Sequence, residues 1–381
     1  MKILHTSDWH LGRLFFQESL LDDQSKLLDQ VYEALVDHAV DVLIIAGDIF
    51  DRANPKREAV KLFDDFVSRV QRTTRAALVI IPGNHDAAER IGYGNALHDG
   101  RRVLVRGPIG QKIGPLILED DHGKVAFSAL PFSEVFAAKA AYDDDTISSP
   151  ADVLKAQTAE ARLEVPEGAR WVIAAHAFVA GSSTSESERP LTQVGGIETV
   201  APSVFDGADY VALGHIHRAQ SAGANHIRYC GSWMGFGFDE ADLQKTMNLV
   251  HLGAKGQITI ETLPFRPDRQ LKIIEGSFED LQRLGESAPS MDFVKAIITD
   301  EGGLIAPADK LRTYYPNLMQ IERPNRGRSS VTSSVPTNHD RNDPSEVVNA
   351  FIAYVRDEAK EPEQVLIAET LEQLRLEEEA V

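Results

Sequence analysis

Residues 42–51 read VLIIAGDIFD, and residues 77–86 read ALVIIPGNHD. In each stretch five apolar residues run without interruption, which suits a strand buried on both faces. Gly47 and the pair Pro82–Gly83 break the runs, and polar side chains follow at once: Asp48 and Asp51 in the first, Asn84, His85 and Asp86 in the second. Between the runs Pro55 stands where a first helical turn tolerates proline, and Leu62, Phe63, Phe66 and Val70 recur on one helical face. The pair is therefore predicted to form a βαβ unit of an α/β fold.

Three more apolar runs behave the same way. Met1–Thr6 is followed by Asp8 and His10, Arg170–Ala175 by His176, and Tyr210–Leu213 by His215 and His217 in GHIH. Leu27, Leu28, Val31 and Leu35 supply a helix between the first two runs. In an open parallel sheet all five strand ends would lie along one edge, where α/β folds gather their sites. A spacing of two, as in Asp8/His10 and His215/His217, sends both side chains the same way from extended backbone. Gly47, Gly83 and Gly214 let the chain turn close beside whatever is bound there. Later strand-like segments at Val125–Leu130, His226–Tyr229, Thr246–Leu252 and Gln257–Leu263 lack intervening helices, so a second, more antiparallel sheet is expected.

The 381 residues are enough for two or three domains. A boundary is expected where FRPDR interrupts the pattern, giving a main domain over 1–268 and a small β-α-β-α-β domain over 269–323. A polar stretch over 324–342, rich in Ser, Thr, Asn and Arg, reads as a flexible linker. Residues 343–381 then read as two amphipathic helices: Val347, Val348, Phe351, Ile352 and Val355 stripe the first, and Ile367, Leu371 and Leu374 the second. Cys230 is the only cysteine, so no internal disulfide forms. The opening MKILHTSDWH has no signal-peptide core, and no apolar run approaches the roughly 20 residues that span a bilayer, so a cytoplasmic chain without membrane contact is expected.

A net charge of −19 would ordinarily count against nucleic-acid binding. The charge is uneven, however: 343–381 carries eleven acidic and three basic residues, while Arg323, Arg326, Arg328 and Arg341 cluster just before it. Seven ligand-type residues at the strand ends are too many for one cation but suit two, roughly 3.5 to 4 Å apart, sharing Asp48. Imidazole, carboxylate and amide donors without thiolate favour Mn, Fe or Zn. Paired ions of this kind make a nucleophile of water and neutralise phosphate oxygens, a chemistry suited to phosphoester hydrolysis. His85 lies beside a ligand yet is not needed to complete either set, so it is free to protonate the leaving oxygen.

In order, DWH, GDIFD, GNHD, AH and GHIH resemble the motifs of the calcineurin-like metallophosphoesterase superfamily. With the opening HTSDWHLG and the C-terminal parts, the whole chain is similar to the nuclease subunits of bacterial complexes that pair a nuclease with a coiled-coil ATPase. The resemblance implies a four-layer α-β-β-α sandwich, a capping domain near 270–322 and a helical pair that docks on the ATPase. It implies two divalent ions, manganese first among them: one on Asp8, His10, Asp48 and His217, the other on Asp48, Asn84, His176 and His215. His85 would be the catalytic histidine and Asp51 the residue that orients it. The implied activity is that of a double-strand DNA exonuclease and a hairpin and single-strand endonuclease, working as a homodimer on DNA ends in the nucleoid. A different phosphodiesterase or phosphatase, or a non-catalytic DNA-end tether, are the competing functions.

Arg13, Arg52, Arg90 and Arg218 follow ligand motifs and are candidates for DNA phosphates, though each equally suits an ordinary surface position. Phe63 and Phe66, Trp9 and Trp233, and Cys230 are expected in the core. The seven histidines outside the motifs (His5, His38, His98, His122, His226, His251 and His339) are expected to be structural or exposed.

Overall fold

The computed structural model describes residues 1–93, 102–188, 192–193, 196–197, 199–324, 348, 352 and 364–371. The first elements are β1 (Lys2–Thr6), β2 (Leu14–Phe15), β3 (Glu18–Ser19), α1 (Leu21–Asp37), β4 (Val42–Ala46), α2 (Arg57–Thr73), β5 (Ala77–Ile81), α3 (Ala88–Ile91) and β6 (Val103–Val105). β7 (Leu116–Asp120), β8 (Gly123–Leu130), α4 (Val135–Tyr142), α5 (Pro150–Leu163), β9 (Arg170–His176), β10 (Thr192–Gln193), β11 (Gly196–Ile197) and β12 (Tyr210–Gly214) follow. β13 (Gln220–Ala222), β14 (Ala224–Tyr229), β15 (Thr246–Leu252) and β16 (Ile258–Pro264) come next. The last five are β17 (Leu271–Gly276), α6 (Phe278–Ser287), β18 (Phe293–Ile298), α7 (Pro307–Arg312) and β19 (Leu318–Glu322). The chain divides into two compact units, Met1–Lys272 and Ile273–Val381.

The first unit holds two six-stranded sheets, ordered β16-β15-β1-β4-β5-β6 and β13-β14-β12-β9-β8-β7. Alternation along the strands builds the layers. Val42, Ile44 and Ala46 of β4 and Val172 and Ala174 of β9 share one core, which lies between the sheets. Trp171, Ile173 and Ala175, the alternate residues of β9, pack instead with Leu154 and Ala161 of α5. Leu43 and Ile45, the alternate residues of β4, are just as buried. β1, α1, β4, α2 and β5 form successive parallel crossovers, which set both helices on the outer face of the first sheet. The result is a four-layer α-β-β-α sandwich.

The five ligand-bearing runs do not share one sheet. β1, β4 and β5 run parallel in the first, whereas β9 and β12 run parallel in the second. The later strands divide between them too: β8 and β14 join β9 and β12 in parallel, and β15 and β16 complete the first sheet as an antiparallel edge beside β1. Apolar runs disclose strands but not their partners, and β15 covers the side of β1 that β4 leaves free. Pro55 lies outside α2, whose N-cap is Lys56. The expected core residues do pack inward: Trp9 and Trp233 are fully buried and stacked 5.0 Å apart, and Phe66 meets Trp9 edge-on at 5.5 Å.

In the second unit, β17, β18 and β19 form a three-stranded sheet whose core includes Ile274, Leu281, Val294, Ala296, Leu311 and Tyr315. Ser277 caps α6 by accepting from the backbone N–H of Asp280. α7 is shorter than the expected Pro307–Tyr315, stopping at Arg312. Arg323, read as part of a DNA-facing cluster, instead directs its guanidinium to the carbonyls of Asp300 and Gly302. Arg326, Arg328 and Arg341, most of the linker, and Val347, Phe351, Val355 and Leu374 of the helical pair lie outside the described residues, as do His98 and His339. Residues 364–371 are helical, with Ile367 and Leu371 half-buried. Among the described residues no helix is long and apolar enough to cross a membrane.

Candidate metal centre

The loops that leave β1 and β4 are zipped together by backbone bonds. Asp8 N–H donates to Gly47 O at 3.0 Å, His10 N–H to Asp48 O at 3.0 Å and Leu11 N–H to Ile49 O at 2.9 Å. Asp8, His10, Asp48 and His215 all hold left-handed backbone, with φ of 54°, 46°, 50° and 105°. Such conformations cost about 1–3 kcal/mol each in a non-glycine residue. The surrounding bonds hold them, and the gain is that short loops aim side chains back across the sheet edge. Glycine is required where backbones meet: a Cβ on Gly214 would lie 1.9 Å from Ala46 O, and one on Gly83 would lie 2.2 Å from Asp48 Oδ1. Asp86 ties the loops after β4 and β5 by accepting from the N–H groups of Ile49, Phe50 and Gly83 at 2.9 to 3.0 Å. Burial first and the neighbouring Asp48 second push its carboxyl up to about 7.

Asp48 stands at the centre. Its Oδ2 lies 3.5 Å from His176 Nε2, 3.8 Å from His10 Nε2 and 3.9 Å from His85 Nε2, while Oδ1 accepts from the His85 backbone N–H at 2.9 Å. Three sets of donor atoms lie within 4.8 Å of one another: Asp8, His10 and His217; Asp48, His176 and His215; and His10, Asp51 and His85. Asn84 adds its Oδ1, 3.0 Å from His176 Nε2 and 3.1 Å from His215 Nδ1. The sheet ends thus bring together all seven residues expected as ligands, with His85 beside them.

Hydrogen bonding fixes which nitrogens can accept a cation. His176 Nδ1 lies 3.0 Å from Ala46 O, and His85 Nδ1 lies 2.8 Å from Asp51 O. A carbonyl only accepts, so each Nδ1 carries the proton. In a neutral ring Nε2 is then a bare lone pair, and in His176 it faces the lone pairs of Asn84 Oδ1. His10 Nε2 and His217 Nε2 likewise face each other at 3.1 Å, and His10 Nδ1 is buried with no partner among the described residues. Burial holds His10, His215 and His217 below the ordinary histidine range and His176 at about 4, so the rings are neutral at pH 7. Burial, and then Asp48, raises Asp8 well above the usual carboxylate range. Converging lone pairs and repelling carboxylates, with donors turned away to backbone, fit divalent cations.

Asp51 meets His85 through its backbone carbonyl, while its carboxylate faces Arg13 at 3.7 Å and Arg52 at 3.4 Å. Arg13 lies over the Phe236 ring at 4.5 Å, the exposed Arg90 donates to Asn54 at 3.3 Å, and Arg218 is half-buried. Arg13 and Arg52 thus share Asp51, while Arg90 bonds Asn54. Sequence reading missed Ser187, Glu188, Glu240 and Lys245. Glu188 accepts from the His217 backbone N–H at 2.6 Å, and burial lifts its carboxyl to about 7. Glu240 is buried and paired with Lys245 at 2.8 Å. No apolar run or motif precedes any of the four, so only the folded chain brings them to His217.

Residues 1–219 match a family model described as calcineurin-like phosphoesterase, and residues 267–356 match SbcD_C, described as the type 5 capsule protein repressor C-terminal domain. The chain is 32% identical over 322 residues to the SbcD subunit of the SbcCD nuclease of Staphylococcus saprophyticus, covering 84% of each. Solved structures resembling it include GAP50, the anchor in the inner membrane complex of Plasmodium, at 12% identity and a TM-score of 0.42, covering 69% of this chain and 84% of that one. A dimetal phosphatase from Danio rerio matches at 12% identity and a TM-score of 0.40, covering 69% of this chain and 95% of its own. Both likenesses are too loose to bear on chemistry.

Proposed function

The chain belongs to the calcineurin-like phosphoesterases and, within them, to the SbcD nuclease subunits, so it is a phosphodiester hydrolase; from that premise we propose that it cuts DNA at a dinuclear centre. The observation that carries this reading is the convergence of unprotonated ring nitrogens and carboxylates on Asp48. Asp8, His10, Asp48 and His217 would hold one divalent ion, and Asp48, Asn84, His176 and His215 the other, with Mn2+ the expected metal. Bound, the ions supply a nucleophile from water at neutral pH and offset charge on the phosphate oxygens.

The chain's own residues do the rest. Asp8 and Asp48 set the negative charge that holds the pair, and the rigid loops keep donors aimed before substrate arrives. His85, tethered at Nδ1 by Asp51 O, presents Nε2 toward the same space, 3.9 Å from Asp48 Oδ2; as the doubly protonated imidazolium it would deliver the Nε2 proton to the leaving oxygen and be left neutral, with its Nδ1–H still on Asp51 O. Arg13 at the rim would meet a DNA phosphate, with Arg52, Arg90 and Arg218 as further contacts.

The substrate is double-stranded DNA ends and hairpins, degraded exonucleolytically and opened by endonucleolytic cuts, in DNA end processing and repair. An SbcC-like coiled-coil ATPase is the partner, engaged by 343–381, and the working form is a homodimer in the cytoplasm at the nucleoid. The test is cleavage of linear duplex, hairpin DNA and a small chromogenic phosphodiester, with and without Mn2+ and the ATPase. Mn2+-dependent DNA cutting that the ATPase stimulates is expected. Turnover of the small ester alone would make the chain a different phosphodiesterase, and DNA binding without turnover would make it a tether.

A further inference from the structure

Ser187 Oγ lies 2.6 Å from His217 Nδ1 on one side and 2.6 Å from Glu240 Oε1 on the other. Glu240 is buried, and its second oxygen receives Lys245 Nζ at 2.8 Å and Phe236 N–H at 3.1 Å. A carboxylate so paired only accepts, so the single hydroxyl proton of Ser187 goes to Glu240. The hydroxyl oxygen is left to accept, and His217 must offer it an Nδ1 proton. His217 Nε2 is then bare, and it faces His10 Nε2 in the half of the site formed with Asp8.

We propose that Ser187 and Glu240 are positioning residues that lock His217 in its Nδ1–H tautomer and so set the cation affinity of the Asp8–His10–His217 half of the centre. This rests on the metal-centre reading above. The loop carrying Ser187 is fastened where the relay needs it. Glu186 N–H donates to Asp239 at 3.0 Å, Glu188 accepts from His217 N–H, and Ser183 exchanges two bonds with Gln220 at 2.8 Å. Docking of residues 183–188 against 217–220 and 239–240 thereby completes one metal position and leaves the other, around Asn84 and His176, untouched.

The experiment titrates Mn2+ alone, without DNA, into full-length wild type, Ser187→Ala and Ser187→Thr by equilibrium dialysis, and reads the His217 ring-nitrogen shifts of each metal-free chain by 15N NMR. Ser187→Ala should bind one of two Mn2+ equivalents about 10- to 100-fold more weakly, keep the other unchanged and shift His217 away from the Nδ1–H tautomer. Ser187→Thr, which retains the hydroxyl, should restore both. Two unchanged affinities in Ser187→Ala would overturn the relay, and so would a Thr variant as weak as Ala, since packing rather than the hydroxyl would then be responsible. Wild type binding fewer than two equivalents would overturn the dinuclear reading itself, an outcome separate from an intact wild type with an indifferent Ser187→Ala.

Discussion

His176 gives its Nδ1 proton to the carbonyl of Ala46, a backbone group of β4, whereas His217 meets Ser187, a side chain on a loop thirty residues earlier in the chain. Both rings end with Nε2 toward the same centre, but the first is held by the sheet and the second by a chain of side chains running to Glu240 and Lys245. A backbone carbonyl inside a parallel sheet cannot be mutated away, and it moves only if the sheet does. A Ser–Glu–Lys relay can be cut by one substitution. One half of the site is therefore as rigid as the fold, and the other is as rigid as residues 183–188.

Removing the group the halves share should give the largest effect. Asp48→Ala takes away the carboxylate that lies within 3.8 Å of ring nitrogens from both halves. We expect loss of both metal ions by elemental analysis and no measurable cleavage. If two ions stay tightly held, the halves do not share Asp48 and their comparison has to be redrawn as two independent sites.

His85→Gln comes second, because it belongs to neither half. Both metals should remain while cleavage falls about 10²- to 10⁴-fold, the range of a lost general acid or base. A variant that loses about one metal per chain would make His85 a ligand, in keeping with its proximity to His10 and Asp51.

The same contrast explains what could be read from sequence. Asp8, Asp48, Asn84, His176 and His215 each follow an apolar run at once, so strand prediction and ligand chemistry found them together. Ser187, Glu188, Glu240 and Lys245 sit in loops whose polar composition is ordinary, and their role depends on distances of 2.6 to 2.8 Å between segments up to 53 residues apart. Pairing was hidden for a related reason. A mostly apolar strand such as Thr246–Leu252, with Met247, Leu249, Val250 and Leu252, fits either sheet, and only the free edge of β1 decides where it goes.

Beneath both halves His5 is buried, bonded to Tyr210 OH at 2.9 Å and Leu213 O at 3.1 Å. Burial takes it from 6.5 to about 3. Below pH 6.5 the unfolded chain gains a proton that the folded chain refuses, so stability contributed above 6.5 drains away as pH falls toward 3. The slope for one such group is about 1.4 kcal/mol per pH unit. His5→Gln keeps a donor and an acceptor but cannot titrate, so in the presence of chelator its denaturation midpoint should decline less steeply than that of wild type between pH 6.5 and 3. Parallel profiles would move acid sensitivity from His5 to other groups, among them the site histidines and the paired carboxylates of Glu240 and Asp120.

The smallest effect on the nuclease unit should come from cutting after Asn342. None of the seven proposed ligands lies beyond that point, and neither do β17, β18 and β19, so metal content and thermal stability of the remainder should match the full chain closely. Partner capture should change instead. By its sequence spacing the stripe of Val347, Val348, Phe351, Ile352 and Val355 is expected to form an amphipathic face, and residues 343–381 carry a net charge of −8, which favours a basic groove. Binding to the coiled-coil base of an SbcC-like ATPase should therefore be lost on truncation and, in the full chain, weaken as salt rises. Equal capture by full-length and truncated chains would place the docking surface within 1–342. Lower stability of the truncated chain would show that the tail packs on its own protein, extending the side-chain-held part of the molecule beyond the Ser187 loop.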